Sequence, residues 1–126
     1  MVATSLGLML LMNVTCNAVV KDKAQNKPKP LVTFVELGSV NCTPCKIMKP
    51  VMAAVEKEYG DKIDVIFHDV NKNRQIAAEY KIRVIPTQVF LNARGKEFYR
   101  HEGFFPQEEV MKIVDKQLGI KRTVKK

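Results

Sequence analysis

The segment SVNCTPCKIMKP, residues 39–50, carries two of the chain's three cysteines, Cys42 and Cys45, with Thr43 and Pro44 between them. Two thiols at that spacing fit a redox pair that makes and breaks a disulfide, half of a metal site, or two small apolar side chains in a core. A further candidate is Glu36, a carboxyl inside the otherwise apolar run LVTFVEL (31–37). Burial there would disfavour its charged form and raise its pKa. The plainer alternative is a strand-edge glutamate that reaches solvent. The rest of the chain has to choose among these.

At 126 residues, 46% hydrophobic and 27% charged, the chain suits one globular domain with a modest core. The net charge of +8 is concentrated at the ends, in Lys21, Lys23, Lys27 and Lys29 before the domain and Lys116, Lys121, Arg122, Lys125 and Lys126 after it. Such charge marks solvated tails, and the centre lacks the aromatic-basic interleaving of a nucleic-acid surface, so no nucleic-acid partner is expected. Residues 1–20 are uncharged, with the apolar centre LGLMLLM, and KDKAQNKPKP (21–30) is lysine-rich and punctuated by proline. We read these as a targeting segment and a linker. Residues 1–20 fit a signal peptide, a lipoprotein signal with Cys16 as the modified cysteine, or an uncleaved membrane anchor, although Asn13 is polar where a lipoprotein signal carries an aliphatic residue. An anchor followed by lysines would favour a cytoplasmic domain. Export to the cell envelope or periplasm, with membrane tethering through the N-terminus as a variant, is the leading expectation. The domain is read as 31–119 and residues 120–126 as a basic tail.

The elements that must position the cysteines follow from periodicity. LVTFVEL reads as a strand buried on both faces. From Cys45 to Tyr59 the apolar residues Ile47, Met48, Val51, Met52 and Val55 recur at helical spacing, and Gly60 ends the helix. IDVIFHDV (63–70) is a second strand and NRQIAAEYK (73–81) a second helix with Ile76, Ala77 and Tyr80 inward. TQVFLN and KEFYRHEG flank ARG as a hairpin. A last helix, QEEVMKIVDKQLG, follows Pro106 with acids in its first turn and Val110, Ile113, Val114 and Leu118 inward. The order βαβαββα implies an α/β fold: a right-handed crossover, then an antiparallel pair, giving a four-stranded mixed sheet with helices on both faces.

A strand leading to Cys-x-x-Cys at a helix start, with Pro44 as the second intervening residue, resembles thioredoxin. Pro50 five residues after Cys45, the tripeptide IPT (85–87) before the third strand, and Gly95 and Gly103 around the last strand strengthen the resemblance, which covers residues 31 to about 119. It implies a thioredoxin-like fold and a thiol:disulfide oxidoreductase acting on protein disulfides or dithiols. It also implies an upstream thiol electron donor, which is membrane-bound in one version of this reading. No cofactor beyond the Cys42–Cys45 couple and no metal are expected, and the chain is expected to be a monomer. In the family the bond before the Pro86 equivalent is cis, and the backbone of the preceding residue, here Ile85, pairs with an extended substrate segment. Thr43, Pro44, Ile85, Pro86 and Gly103 are therefore the expected substrate-binding residues. By sequence alone Pro86 would default to trans, because cis X–Pro bonds are a small minority.

The chemistry follows from placement. A thiol at a helix N-terminus faces unpaired N–H groups and the positive end of the helix dipole, so Cys42 is expected to be the nucleophile. Cys45, one turn in, would resolve the mixed disulfide. Glu36 occupies the place where thioredoxins resemble one another in having a buried aspartate, and is the candidate proton carrier for Cys45. Thr43 and Pro44 add no cation, which favours a reductant or general exchanger over a strong oxidant. For a metal, the other candidate ligands His68, His101 and Cys16 show no paired spacing, and Val40 stands where a copper-carrier loop would show methionine. Three departures from the family pattern stand out. Asn41 replaces the tryptophan before the first cysteine, Phe67 stands where a lysine would accompany the buried acid, and the leading strand and helix are missing. A smaller, envelope-type form of the fold is expected. The alternative from another class is a non-catalytic binding module using the loops around Thr43, Ile85 and Phe104.

Overall fold

The structure, a computed structural model, describes residues 28–123. The candidate targeting segment, Cys16 and most of the linker lie outside the described residues. The elements are β1 (Val32–Gly38), α1 (Thr43–Tyr59), β2 (Ile63–Asp69), α2 (Arg74–Glu79), β3 (Thr87–Asn92), β4 (Glu97–Glu102) and α3 (Gln107–Leu118), with one 3-10 turn, Gly60–Lys62, after α1. The sheet order is β2-β1-β3-β4, with β1 and β2 parallel and the other neighbours antiparallel. This is the βαβαββα arrangement expected from the sequence.

Alternation along β1 divides its side chains between two cores. Val32 and Phe34 face a cluster with Met48, Val51 and Val55 of α1 and Val110 and Val114 of α3. Val35 and Leu37 face Val70 and Val89, with Ile76 and Ala77 of α2 and Tyr80 just after it against them. Both faces of β1 are buried, which is why its sequence reads as a continuous apolar run. Phe34 and Phe90 are direct cross-strand partners and stack at 4.8 Å between centroids, fixing the β1–β3 register.

Helix α1 runs through Pro50 without ending, and Met48, Val51 and Val55 are buried as the spacing predicts. Ile47 is a correction: it shares the apolar period but is 51% exposed. In α3 the inward residues are Val110 and Val114, whereas Ile113 and Leu118 are only half-buried. Gly119 closes α3 with φ +69°, a left-handed cap that glycine adopts without a Cβ penalty.

The first residues of the expected tail are docked rather than solvated. Ile120 packs against the first core, and Arg122 pairs with Asp115 and Glu58. Asp115, buried on α3, accepts a hydrogen bond from the Tyr59 hydroxyl at 2.7 Å, and that hydroxyl also lies 3.1 Å from the Met111 carbonyl. The cluster joins the ends of α1 and α3. Asp115→Ala removes the shared acceptor and is expected to lower unfolding stability by about 1–3 kcal/mol. Urea denaturation measures this, and an unchanged midpoint would show that the cluster is incidental.

Candidate functional site

Strand β1 ends at Gly38, and the chain turns through Ser39–Asn41 before α1 begins. Ser39 is 3% exposed, and its hydroxyl accepts from the Asn71 side chain at 2.8 Å and from the Asn41 N–H at 3.3 Å. Its carbonyl accepts from the Cys42 N–H at 3.2 Å, and the Gly38 carbonyl accepts from the Val70 N–H at 2.9 Å. These bonds tie the cysteine turn to the loop after β2. Sequence reasoning missed Ser39 and Asn71. Small polar residues in turns are common, and nothing local shows that these two meet.

Cys42 is the N-cap of α1, with extended backbone, and its Sγ accepts from the Cys45 N–H at 3.3 Å. A sulfur in this position replaces the oxygen of an ordinary cap and receives the dipole's positive end. Pro44 falls in the first turn, where its missing N–H costs nothing. Cys42 and Cys45 are joined as a disulfide, with Cα atoms 5.2 Å apart. Their surroundings are unequal: Cys42 is half-buried and Cys45 only 2% exposed.

Gly38 explains how Cys45 fits so close to the sheet. A Cβ at that position would lie 3.1 Å from both Cβ and Sγ of Cys45 and 3.3 Å from the Phe67 ring. The missing side chain is the space the thiol occupies. Glu36 is two residues earlier on the same strand and therefore points to the same face, the one on which Cys45 lies against Gly38. Its side chain is fully buried, with Phe67 of β2 on one side and Gln88 of β3 on the other as direct strand partners. Among the described residues neither carboxyl oxygen has a hydrogen-bond partner. Burial raises the Glu36 pKa from 4.5 to about 8, and the Gln88 amide, close by on β3 although outside hydrogen-bond geometry, offsets part of that rise. Phe67 stands where the resemblance would place a lysine, so no cation from that position of β2 accompanies the acid.

The Ile85–Pro86 bond is cis, the isomer the resemblance implied. Pro86 is buried and Ile85 half-buried. The loop is braced by the Thr87 hydroxyl, which donates to the Val84 carbonyl at 2.7 Å, and by the Gly103 N–H, which donates to the Pro86 carbonyl at 2.7 Å. Gly103 adopts φ +92°, so the crossing from β4 to α3 can approach the proline loop. Thr43 and Pro44 are exposed beside Cys42, and Val40, Val84 and Phe104 are exposed in the turn before α1, the loop before β3 and the loop before α3.

The two histidines considered as metal ligands lie on opposite faces of the sheet. His68 pairs in register with Leu37 and faces Tyr80 at the end of α2, whereas His101 pairs with Gln88 and stacks on Phe105. Among the described residues no group of three or more histidine, cysteine, aspartate or glutamate side chains is arranged to hold a metal ion, and no helix is long and apolar enough to cross a membrane.

A two-cysteine disulfide capping the first helix of a four-stranded mixed sheet, with a cis-proline loop, defines a protein-disulfide oxidoreductase of thioredoxin fold. The chain belongs to the thioredoxin family, whose model matches residues 12–116. Thioredoxin from Bacillus subtilis is 35% identical over 87 residues, covering 69% of this chain and 83% of that protein. Thioredoxin from Staphylococcus aureus is 32% identical over the same shares. Among solved structures, chloroplastic thioredoxin z superposes with a TM-score of 0.66 at 26% identity, covering 72% of this chain and 81% of that one.

Proposed function

We propose that the protein reduces disulfides of protein substrates through Cys42 and Cys45, with Glu36 as the proton carrier. The observation that carries this reading is the unequal placement of the two sulfurs. Cys42 caps an open helix N-terminus, and Cys45 lies against Gly38 on the sheet face that carries the buried Glu36.

In the reduced chain the Cys42 thiolate attacks one sulfur of a substrate disulfide, forming a mixed disulfide and releasing the other sulfur as a thiolate. The ionised form of Glu36, a minority of the carboxyl below about pH 8, accepts the Cys45 proton, and the resulting Cys45 thiolate attacks Cys42 Sγ. The second substrate sulfur leaves. Two electrons pass to the substrate, and the chain is left with the Cys42–Cys45 disulfide. An upstream dithiol donor must restore the reduced pair, and no cofactor beyond the couple is needed.

The substrate segment lies beside Thr43 and Pro44 and pairs with the Ile85 backbone, in a loop held by Pro86 and Gly103. Val40 and Phe104 add apolar contact on a surface that lacks tryptophan. The uncharged segment 1–20 and the lysine-rich stretch after it support an exported or membrane-tethered chain in the cell envelope.

Equilibration of the couple with defined glutathione ratios tests the redox direction. The absence of charge at Thr43 and Pro44 favours a potential near the thioredoxin value of about −270 mV over the roughly −120 mV of a strong oxidant. A value near the latter would reverse the assigned direction.

A further inference from the structure

Glu36 is not alone in the interior. Gln88, its direct partner on β3, is also fully buried, and both its amide oxygen and its amide nitrogen lack hydrogen-bond partners among the described residues. Gln88 points to the same face as Phe90, two residues later, which is the face of Glu36, Gly38 and Cys45. Four buried polar atoms without partners therefore sit on two side chains that are paired across adjacent strands. Cβ atoms of such a pair are about 4.5–5.5 Å apart, within easy reach of a glutamate and a glutamine. An apolar residue at position 88 would avoid the desolvation cost, so the amide calls for a role.

The surroundings leave few other partners. On β2 the residue facing Glu36 is Phe67, and Lys49 and Glu56 of α1 lie exposed in the cleft beyond that ring. On β4, His101 faces Gln88, but its ring stacks on Phe105 and its Nε2 lies 3.1 Å from the Phe104 carbonyl. From α3 the buried acid is Asp115, held by Tyr59 and Arg122. On α1 the buried titratable group on this face is Cys45, against Gly38. Helix α2 packs on the opposite face.

We propose that Gln88 is the positioning residue for Glu36: its amide N–H, outside hydrogen-bond geometry in this structure, closes onto one carboxyl oxygen in either protonation state and leaves the other free to exchange a proton with Cys45. A neutral amide donor serves this purpose better than a cation. A buried lysine would hold the carboxyl ionised, whereas no donor at all would keep it protonated. The amide allows both forms, which a group that must accept and return a proton requires. The inference deepens the proton-carrier reading and takes its mechanistic meaning from it.

The test uses Gln88→Met, close in volume to the parent, with Gln88→Leu as a second variant, and titrates the Glu36 carboxyl carbon by NMR in the oxidised chain. Loss of the donor is expected to move the Glu36 midpoint upward by about one pH unit or more, a tenfold change in proton affinity. The pH profile of single-turnover exchange should move the same way. An unchanged or lower Glu36 midpoint in both folded variants overturns the proposal. Exchange by Glu36→Gln, measured alongside, separates the two ideas. If that variant exchanges at the parent rate, the proton-carrier reading fails while the carboxyl titration still decides whether Gln88 governs Glu36.

Discussion

Cys42→Ser is expected to abolish exchange, whereas Cys45→Ser is expected to leave a reactive thiol that accumulates as mixed disulfides with its substrates. The contrast follows from what each sulfur touches. Cys42 is half-buried at the head of α1 and accepts the Cys45 N–H, so a negative charge on it meets the helix N-terminus and reaches solvent. Cys45 is 2% exposed and pressed against Gly38, where a bulky disulfide cannot approach. In the reduced chain, alkylation near pH 7 should therefore label Cys42 faster by more than about tenfold. Without the Cys45 thiol the mixed disulfide has no internal attacker, and turnover should fall to background. Peptide mass spectrometry of labelled chain and non-reducing gels of the Cys45→Ser protein read both effects. Equal labelling of the two thiols, with no trapped partner, would reduce the pair to a structural disulfide.

The second large effect concerns stability. The Glu36 carboxyl holds its proton up to about pH 8 in the folded chain, because ionisation in the sealed interior is opposed by burial, whereas in the unfolded chain it ionises near 4.5. Between those values the folded chain binds more protons than the unfolded one, so stability falls as pH rises. The slope from this group approaches 1.4 kcal/mol per pH unit, and the loss levels off above pH 8 at roughly 4–5 kcal/mol relative to acid conditions. Glu36→Gln removes the titration while keeping the size and hydrogen-bonding capacity of the side chain. It should be about as stable as the parent near pH 4.5 and several kcal/mol more stable at pH 9. Urea denaturation of the oxidised proteins across this range measures the difference, and parallel profiles would show that Glu36 is not the buried acid that the fold makes it. A gain in stability combined with slower exchange is the pattern expected of a residue retained for chemistry at a cost to folding.

Much of this was legible in the chain itself. The spacing of Met48, Val51 and Val55 and of Val110 and Val114 reports helix faces, and the unbroken run before Cys42 reports a strand covered on both sides. Such patterns are local consequences of the 3.6- and 2-residue periods. The Cys-Thr-Pro-Cys segment, followed by a helix and accompanied by IPT and Gly103, was enough to place the redox pair. Glu36 stood out because a carboxyl interrupted an apolar run. The same rule applied to TQVFLN singles out Gln88, whose amide interrupts a run of strand formers, although an uncharged amide is a weaker signal than a carboxyl because its burial costs less.

Periodicity also has a limit, shown by Ile47. It fits the apolar spacing of α1 yet is exposed, because the width of the buried stripe depends on which neighbours cover it.

What the sequence determined by itself is the set of elements, their order and the chemistry available at residues 36, 42 and 45, since each rests on residues close together in the chain. Only the tertiary structure decided that Glu36 lies between Phe67 and Gln88, that Gly38 leaves the space Cys45 fills, that Asn71 reaches Ser39, and that Arg122 closes onto Tyr59 and Asp115. These contacts join distant parts of the chain through strand register and helix packing. Their effect depends on excluding water from the groups they bring together, and no local pattern of residue types encodes which groups those will be.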